Sequence, residues 1–160
     1  MVEESDIDQL KYIKCIVKEI FRLHPAAPLL MPHEAINSTK IGKEGYVVLE
    51  KTRIIVNVWS VEQDPAHWTD PDKFYPERFE HSDVDFKGGH FQIIPFSSGR
   101  RICPGVAMES DTLTYVLANL LHCFDWEFPK GVRREDVCME EGGVSMDKKT
   151  PLIVVPTRIN

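Results

Sequence analysis

The chain is 160 residues long, with 42% hydrophobic and 28% charged residues, which suits one folded globular domain and is too apolar for disorder. Nineteen Lys and Arg against 25 Asp and Glu leave a net charge of -6. That balance argues against a dedicated nucleic-acid binder, although a local basic face is compatible with it. No apolar run approaches the roughly 18 residues needed to span a membrane. The acidic start MVEESDIDQL is neither a secretory signal nor a transit peptide. The cysteines Cys15, Cys103, Cys123 and Cys138 form no CxxC pair, so reduced thiols are expected rather than a disulfide scaffold.

The first element predicted is a helix capped by Ser5 or Asp6. Leu10, Ile13, Ile16, Val17, Ile20 and Leu23 fall at helical spacing, and Pro25 and Pro28 end the helix at or before His24. Tyr46 to Leu49 and Arg53 to Val58 are rich in β-branched and aromatic residues and predict a hairpin turning at Glu50–Thr52. Asp64–Pro65 and Asp70–Pro71 then open a long irregular segment reaching Pro95. Its aromatics Trp68, Phe74, Tyr75, Phe79, Phe86 and Phe91 favour an ordered, packed meander. A loop from Pro95 to Pro104 leads into a helix from about Gly105 to His122, with Val106, Leu113, Val116, Leu117, Leu120 and Leu121 on one face. Asp125 to Phe128 and Leu152 to Val155 read as short strands. The expected fold is mixed, mainly α with small β hairpins, and residues 1–160 are expected to form a single incomplete domain.

The chemistry centres on Cys103, in the run Phe96-Ser97-Ser98-Gly99-Arg100-Arg101-Ile102-Cys103-Pro104-Gly105. Gly99 and Gly105 admit backbone angles closed to other residues, so a tight turn can aim N–H groups inward. Pro104 suits the first position of a helix. A thiol there faces the helix N-terminus, where the dipole and free N–H groups favour a sulfur anion. Arg101 adds positive charge. A cysteine alone reads more readily as a buried small hydrophobe than as a ligand; the whole decapeptide reverses that balance. The six histidines show no HxxxH or HExxH spacing, which argues against a zinc site.

Phe96, Gly99, Arg101, Cys103 and Gly105 match the FxxGxRxCxG haem-binding signature of the cytochrome P-450 family, and the chain resembles a plant-type microsomal member. The resemblance implies that Cys103 is the axial thiolate ligand of the iron of haem b, pushing electron density toward O–O cleavage. It also implies that Arg101 reaches a haem propionate, that Phe96 packs beside the sulfur, and that Gly99 and Gly105 shape the loop. Glu19 and Arg22, three apart on one helix face, are similar to the family's Glu-x-x-Arg pair. Pro76-Glu77-Arg78-Phe79 is similar to its PERF motif, which implies a buried network of Glu19, Arg22 and Arg78.

Further expectations rest on the same resemblance. Ala27, Leu29 and Leu30 are expected near substrate, and Val144, in the turn Gly142-Gly143-Val144-Ser145, faces it from a last hairpin. His33 stands where many plant members have an arginine that meets a propionate. Glu109 stands where many members have alanine against the haem; a carboxylate there must turn to solvent or find a partner. The family is longer than this chain, so the chain is expected to be the C-terminal portion of a longer enzyme, from a truncated gene model or a partial transcript. The implied parent is a monooxygenase that inserts one oxygen atom from O2 into a small apolar metabolite. Its electrons come from NADPH through NADPH-cytochrome P-450 reductase, which docks near Lys87 and Arg100. The parent's expected place is the cytosolic face of the endoplasmic reticulum membrane, through an N-terminal anchor lying outside this chain. The isolated chain is expected to hold haem weakly and to be inactive. Two alternatives stay open: a relative that rearranges hydroperoxides without a reductase, and a non-catalytic haem-binding or interaction module.

Overall fold

The computed structural model describes residues 1–137, 141–142 and 147–159. Helix α1 runs Lys11–Leu23 and ends at His24, whose N–H bonds to the Ile20 carbonyl at 2.8 Å. It does not begin at Ser5 or Asp6 as the sequence suggested. Those residues lie in a 3-10 turn over Glu4–Gln9, and Leu10 breaks the path between turn and helix. Asp6 bonds back to the Glu3 N–H at 2.9 Å, which satisfies the turn rather than α1. The buried face is also rotated. Cys15, Val17, Glu19, Phe21 and Arg22 are inside, while Ile13, Ile16, Ile20 and Leu23 are only half-buried.

The expected hairpin exists in a different pairing. Strands β1 (His33–Glu34), β2 (Thr39–Ile41), β3 (Tyr46–Val48) and β4 (Arg53–Ile54) form two antiparallel pairs, β1 with β4 and β2 with β3. Tyr46–Val48 and Arg53–Ile54 are therefore not partners. Gly42 and Gly45, at φ +72° and +71°, turn the chain between β2 and β3. Lys51 takes φ +63° and its N–H bonds to the Ala35 carbonyl at 2.7 Å, which diverts the chain toward β1. Val58 is not strand. It opens the short helix α2 (Val58–Glu62), capped by the Asn57 side chain accepting from Ser60 N–H at 3.0 Å.

The meander, apart from a 3-10 turn over Pro76–Phe79, is irregular from Asp64 to Pro95 and packs across α1. Trp68, Phe79 and Phe86 are buried there, whereas Phe74, Tyr75 and Phe91 stay exposed, so about half of the expected aromatic packing forms. Phe21 stands edge-on to both Phe86 and Phe96, with ring centres 5.0 and 4.9 Å apart. This cluster joins α1, the meander and the cysteine loop in one core.

Helix α3 (Val106–Cys123) follows, with Gly105 as its N-cap. Thr114 and Ala118 are its buried residues, small enough to bring it close to its neighbours, and the Thr114 hydroxyl is satisfied by the Ser110 carbonyl at 2.7 Å. Leu113 and Leu117 flank them half-buried. Val116, Leu120 and Leu121, expected on one apolar face with them, are exposed. Strands β5 (Phe124–Glu127) and β8 (Val155–Arg158) pair antiparallel in a register set directly by the end of α3. The expected strand at Leu152–Val155 is shifted because Pro129 would fall opposite Ile153 and has no N–H to give. Strands β6 (Glu141–Gly142) and β7 (Asp147–Lys148) form a last antiparallel pair. Val144 and Cys138 lie outside the described residues. No helix among the described residues is long and apolar enough to cross a membrane.

A charged knot fastens the meander to α1. Glu19 and Arg22 are both 0% exposed. Arg22 Nε donates to Glu19 Oε2 at 2.8 Å and Nη2 donates to Oε1 at 2.9 Å, a two-bond fork. The rest of the guanidinium reaches the carbonyls of Glu62 at 2.9 Å and Pro71 at 2.7 Å. Arg78 Nε lies 3.2 Å from Glu19 Oε1 and spends its other donors on Thr69, Asp70 and Lys73 carbonyls. The Tyr75 N–H adds a fourth bond to Glu19 at 2.9 Å.

Two substitutions test this account by chemical denaturation. Glu19→Gln leaves two guanidiniums without their counter-charge and should cost about 3–5 kcal/mol. Phe21→Ala removes the ring shared by Phe86 and Phe96 and should cost a similar amount, about 3–5 kcal/mol. A drop below about 1 kcal/mol in either case would show that the meander and α1 are held together by something else.

Candidate haem-binding site

The cysteine loop departs from two deeply buried residues, Ile93 and Ile94. Ser97 N–H bonds to the Ile94 carbonyl at 2.9 Å, and Ser97 and Gly99 take φ +68° and +71°. Gly99 adopts that angle freely, while Ser97 does so at a cost of roughly 1–2 kcal/mol. A 3-10 turn over Gly99–Arg101 brings the chain back, and the Cys103 N–H closes the loop on the Phe96 carbonyl at 2.9 Å. The Phe96 ring packs into the core between Phe21 and Phe86. Main chain and ring thus point inward, and the residue left exposed at the end of the turn is Cys103.

The meander braces this loop from outside. Gly88, at φ +88°, comes so close to it that a Cβ would meet Ile102 Cδ1 at 2.8 Å. Ser98 Oγ donates to the Gly88 carbonyl at 2.7 Å. Past the cysteine, a Cβ on Gly105 would stand 3.7 Å from Cys103 Sγ, ordinary contact distance, so Gly105 leaves the sulfur open space. Pro104 does not open the helix as the sequence suggested. Gly105 takes the cap instead, and the Cys103 carbonyl accepts from the first helical N–H, of Val106, at 3.4 Å.

The expected site residues are thus distributed unevenly. Phe96, Gly99, Arg101, Cys103 and Gly105 share one turn, on which Arg101 and Arg100 are exposed. Glu19, Arg22 and Arg78 lie together behind the meander. His33 sits half-buried on β1 opposite Ile54. Among the described residues no hydrogen bond joins it to the cysteine loop. Ala27 and Leu30 are half-buried and Leu29 exposed, in a turn whose Pro28 carbonyl accepts the Val58 N–H at 2.8 Å. Leu30 occupies φ +51°, so the segment turns sharply toward β1. Glu109 is exposed to solvent, one of the two outcomes allowed to it. Cys15 is buried, and burial pushes its thiol up from the usual range.

Glu62 was missed. It is fully buried at the end of α2, and its Oε1 accepts the Ile94 N–H at 2.7 Å. The available signal is its spacing. Four residues after the buried Val58, it shares that residue's inward face on a helix. Assigning Val58 to a strand concealed it.

The donor set fits a haem. Among the described residues no group of three or more His, Cys, Asp and Glu side chains could hold a metal ion. One exposed thiol on a braced turn, with an arginine two residues away, suits an axial bond and an anionic edge.

A family model described as Cytochrome P-450 matches residues 1–155. The chain is 50% identical over 158 residues to 4-hydroxyphenylacetaldehyde oxime monooxygenase of Sorghum bicolor, covering 98% of this chain and 29% of that protein. It is 48% identical over 164 residues to carnosic acid synthase of Rosmarinus officinalis, covering 99% and 31%. It superposes on a solved zebra fish cytochrome P-450 structure with abiraterone at a TM-score of 0.83 and 29% identity, covering 98% of this chain and 36% of that one. The chain thus spans 29–31% of the length of these two curated relatives. It belongs to the cytochrome P-450 family and is of the plant type.

Proposed function

We propose that residues 1–160 are the C-terminal, haem-binding part of a single larger domain, that of a monooxygenase in which Cys103 would hold the haem iron as its thiolate ligand. The observation that carries this reading is the loop geometry. The Cys103 main chain is held inward by the 2.9 Å bond to Phe96 while its thiol is exposed. When bound, haem supplies the activation of O2 that lets one oxygen atom enter a substrate and the other leave as water.

The chain's own residues contribute position and charge. Ser97, Gly99 and the Phe96–Cys103 bond hold the sulfur in one place. Arg101 offers a guanidinium to a propionate, with His33 as a second donor on that edge. Ala27, Leu29, Leu30 and Val144 are the substrate-facing candidates, on apolar character and on the resemblance. The Glu19–Arg22–Arg78 knot acts at a distance, by keeping the meander seated under the loop. Electrons from NADPH would arrive through NADPH-cytochrome P-450 reductase, docking on the cysteine side near the exposed Lys87 and Arg100. Three relatives are named as aldehyde oxime monooxygenases, from Sorghum bicolor, Prunus mume and Manihot esculenta. A small apolar oxime is therefore the first substrate class to try. The endoplasmic reticulum membrane is the proposed place of the full-length enzyme.

Absorption spectra of the full-length protein, reduced under carbon monoxide, test the reading. The wild type should give the long-wavelength Soret band of a thiolate-ligated haem, and Cys103→Ala should lose it entirely. A band unchanged in Cys103→Ala would overturn the assignment. Arg101→Ala should keep the thiolate band yet release haem faster, by roughly tenfold for one lost charge-assisted hydrogen bond. The isolated 160-residue chain should hold less than one haem and show no turnover with reductase; stoichiometric haem and product formation would refute that expectation.

A further inference from the structure

We propose that Glu62 is a positioning residue for the cysteine loop, pinning the Ile94 main chain from which that loop departs; this rests on the reading of Cys103 as the haem ligand. Glu62 is 0% exposed and connects two parts of the molecule. Its carbonyl accepts from Arg22 Nη1 at 2.9 Å, so the end of α2 is tied to the charged knot on α1. Its side-chain Oε1 accepts the Ile94 N–H at 2.7 Å. Ile94 in turn receives the Ser97 N–H at 2.9 Å, and Phe96 receives the Cys103 N–H at 2.9 Å. A continuous path of bonds and peptide units therefore runs from Arg22 through Glu62 to the thiol-bearing turn.

The carboxyl group is chemically unusual. Oε2 is buried and has no hydrogen-bond partner among the described residues. An ionised carboxylate with one oxygen unpaired in the core is costly, so the neutral acid is the form this site accommodates. The groups facing it are Arg22 from α1, whose charge is already shared with Glu19, and the Ile94 main chain at the start of the loop. Burial pushes the Glu62 carboxyl up to about 9, and the Ile94 N–H and the Arg22 charge only partly oppose it.

The sign follows from proton linkage. The folded value lies above the unfolded one, about 4.3 for a glutamate in a peptide. Between the two, the folded chain holds a proton that the unfolded chain has lost. The contribution is complete below the unfolded value and is lost as pH rises through about 9. Ionisation on the alkaline side leaves a buried charge with one oxygen unpaired, and the cost of that charge favours opening of the contact between α2 and the loop without altering Cys103 itself.

Glu62→Gln keeps a neutral acceptor oxygen and removes the ionisation, whereas Glu62→Leu removes the acceptor. Both are read in the full-length holoenzyme by the thiolate Soret band of the reduced carbon monoxide complex across pH. Wild type should lose the band progressively toward pH 9. Glu62→Gln should hold it over that range, and Glu62→Leu should show it diminished at every pH, with haem loss roughly tenfold faster for one missing buried hydrogen bond. A Gln variant with the same alkaline midpoint as wild type, or a Leu variant matching wild type throughout, would overturn the proposal. Hydrogen exchange of the Ile94 amide reads the pin without reference to haem. Protection in wild type and the Gln variant with its loss in the Leu variant supports the pin, and equal protection in all three overturns it. A wild type with this exchange pattern but no thiolate band at any pH would instead mark failure of the Cys103 reading.

Discussion

The structure depends on one carboxylate. Glu19 is sealed from water, yet it meets two guanidiniums and a backbone N–H. A buried charge is tolerable only when its lone pairs are filled, and here the groups that fill them come from α1 and the meander. Remove the meander and Glu19 loses Arg78 and Tyr75; remove Arg22 and the carbonyls of Glu62 and Pro71 lose their donor. The knot thus makes an irregular stretch of about thirty residues adopt one path, where strand ladders would otherwise do that work. The meander then presents Phe86 and Gly88 to the cysteine loop, through the Phe96 ring and the Ser98 hydroxyl. Position passes from a buried ion pair to a backbone turn to a sulfur atom.

This arrangement explains the division of labour along the chain. The loop carrying Cys103 contains a residue, Ser97, at a backbone angle it would not choose. Such strain persists only where surroundings over-determine it, and the surroundings here are the aromatic cluster on one side and the Gly88 brace on the other. The apolar turn at Ala27–Leu30 is fixed separately, to α2, through the Pro28 carbonyl, which accepts from the Val58 and Trp59 N–H groups.

The cysteine loop, the Glu19–Arg22 spacing and the Arg78 motif stood out through their resemblance to family motifs, each a few fixed residue types at short spacing; by spacing alone Glu19 and Arg22 read as a surface pair. The pairing of the small strands was not legible. Two- and three-residue strands carry too little alternation to name their partners, and what selects β1 for β4 is the positive φ of Lys51 and its bond to Ala35. The last strand lies at Val155–Arg158 rather than Leu152–Val155 for a comparable reason, since Pro129 removes a donor whose absence matters only once the opposite strand is known. Along α3 the small Thr114 and Ala118 are the buried residues, a detail that the grouping of its apolar side chains on one face does not disclose. Glu62 was hidden by the strand assigned through Val58: without the helix its spacing says nothing, and a lone acid reads as surface until an amide such as that of Ile94 is seen beside it.

Trp68 lies within the same knot, its ring 5.4 Å from the Arg22 guanidinium and 5.8 Å from that of Arg78, with its Nε1–H on the Gln92 carbonyl. The other two tryptophans, Trp59 and Trp126, are substantially exposed. The molecule therefore contains its own optical gauge. Light emitted by Trp68 should be shielded from soluble quenchers while the meander is seated and become open to them when it lifts, against a background that the two surface indoles keep nearly constant. Seating of the meander can thus be followed in real time with no label.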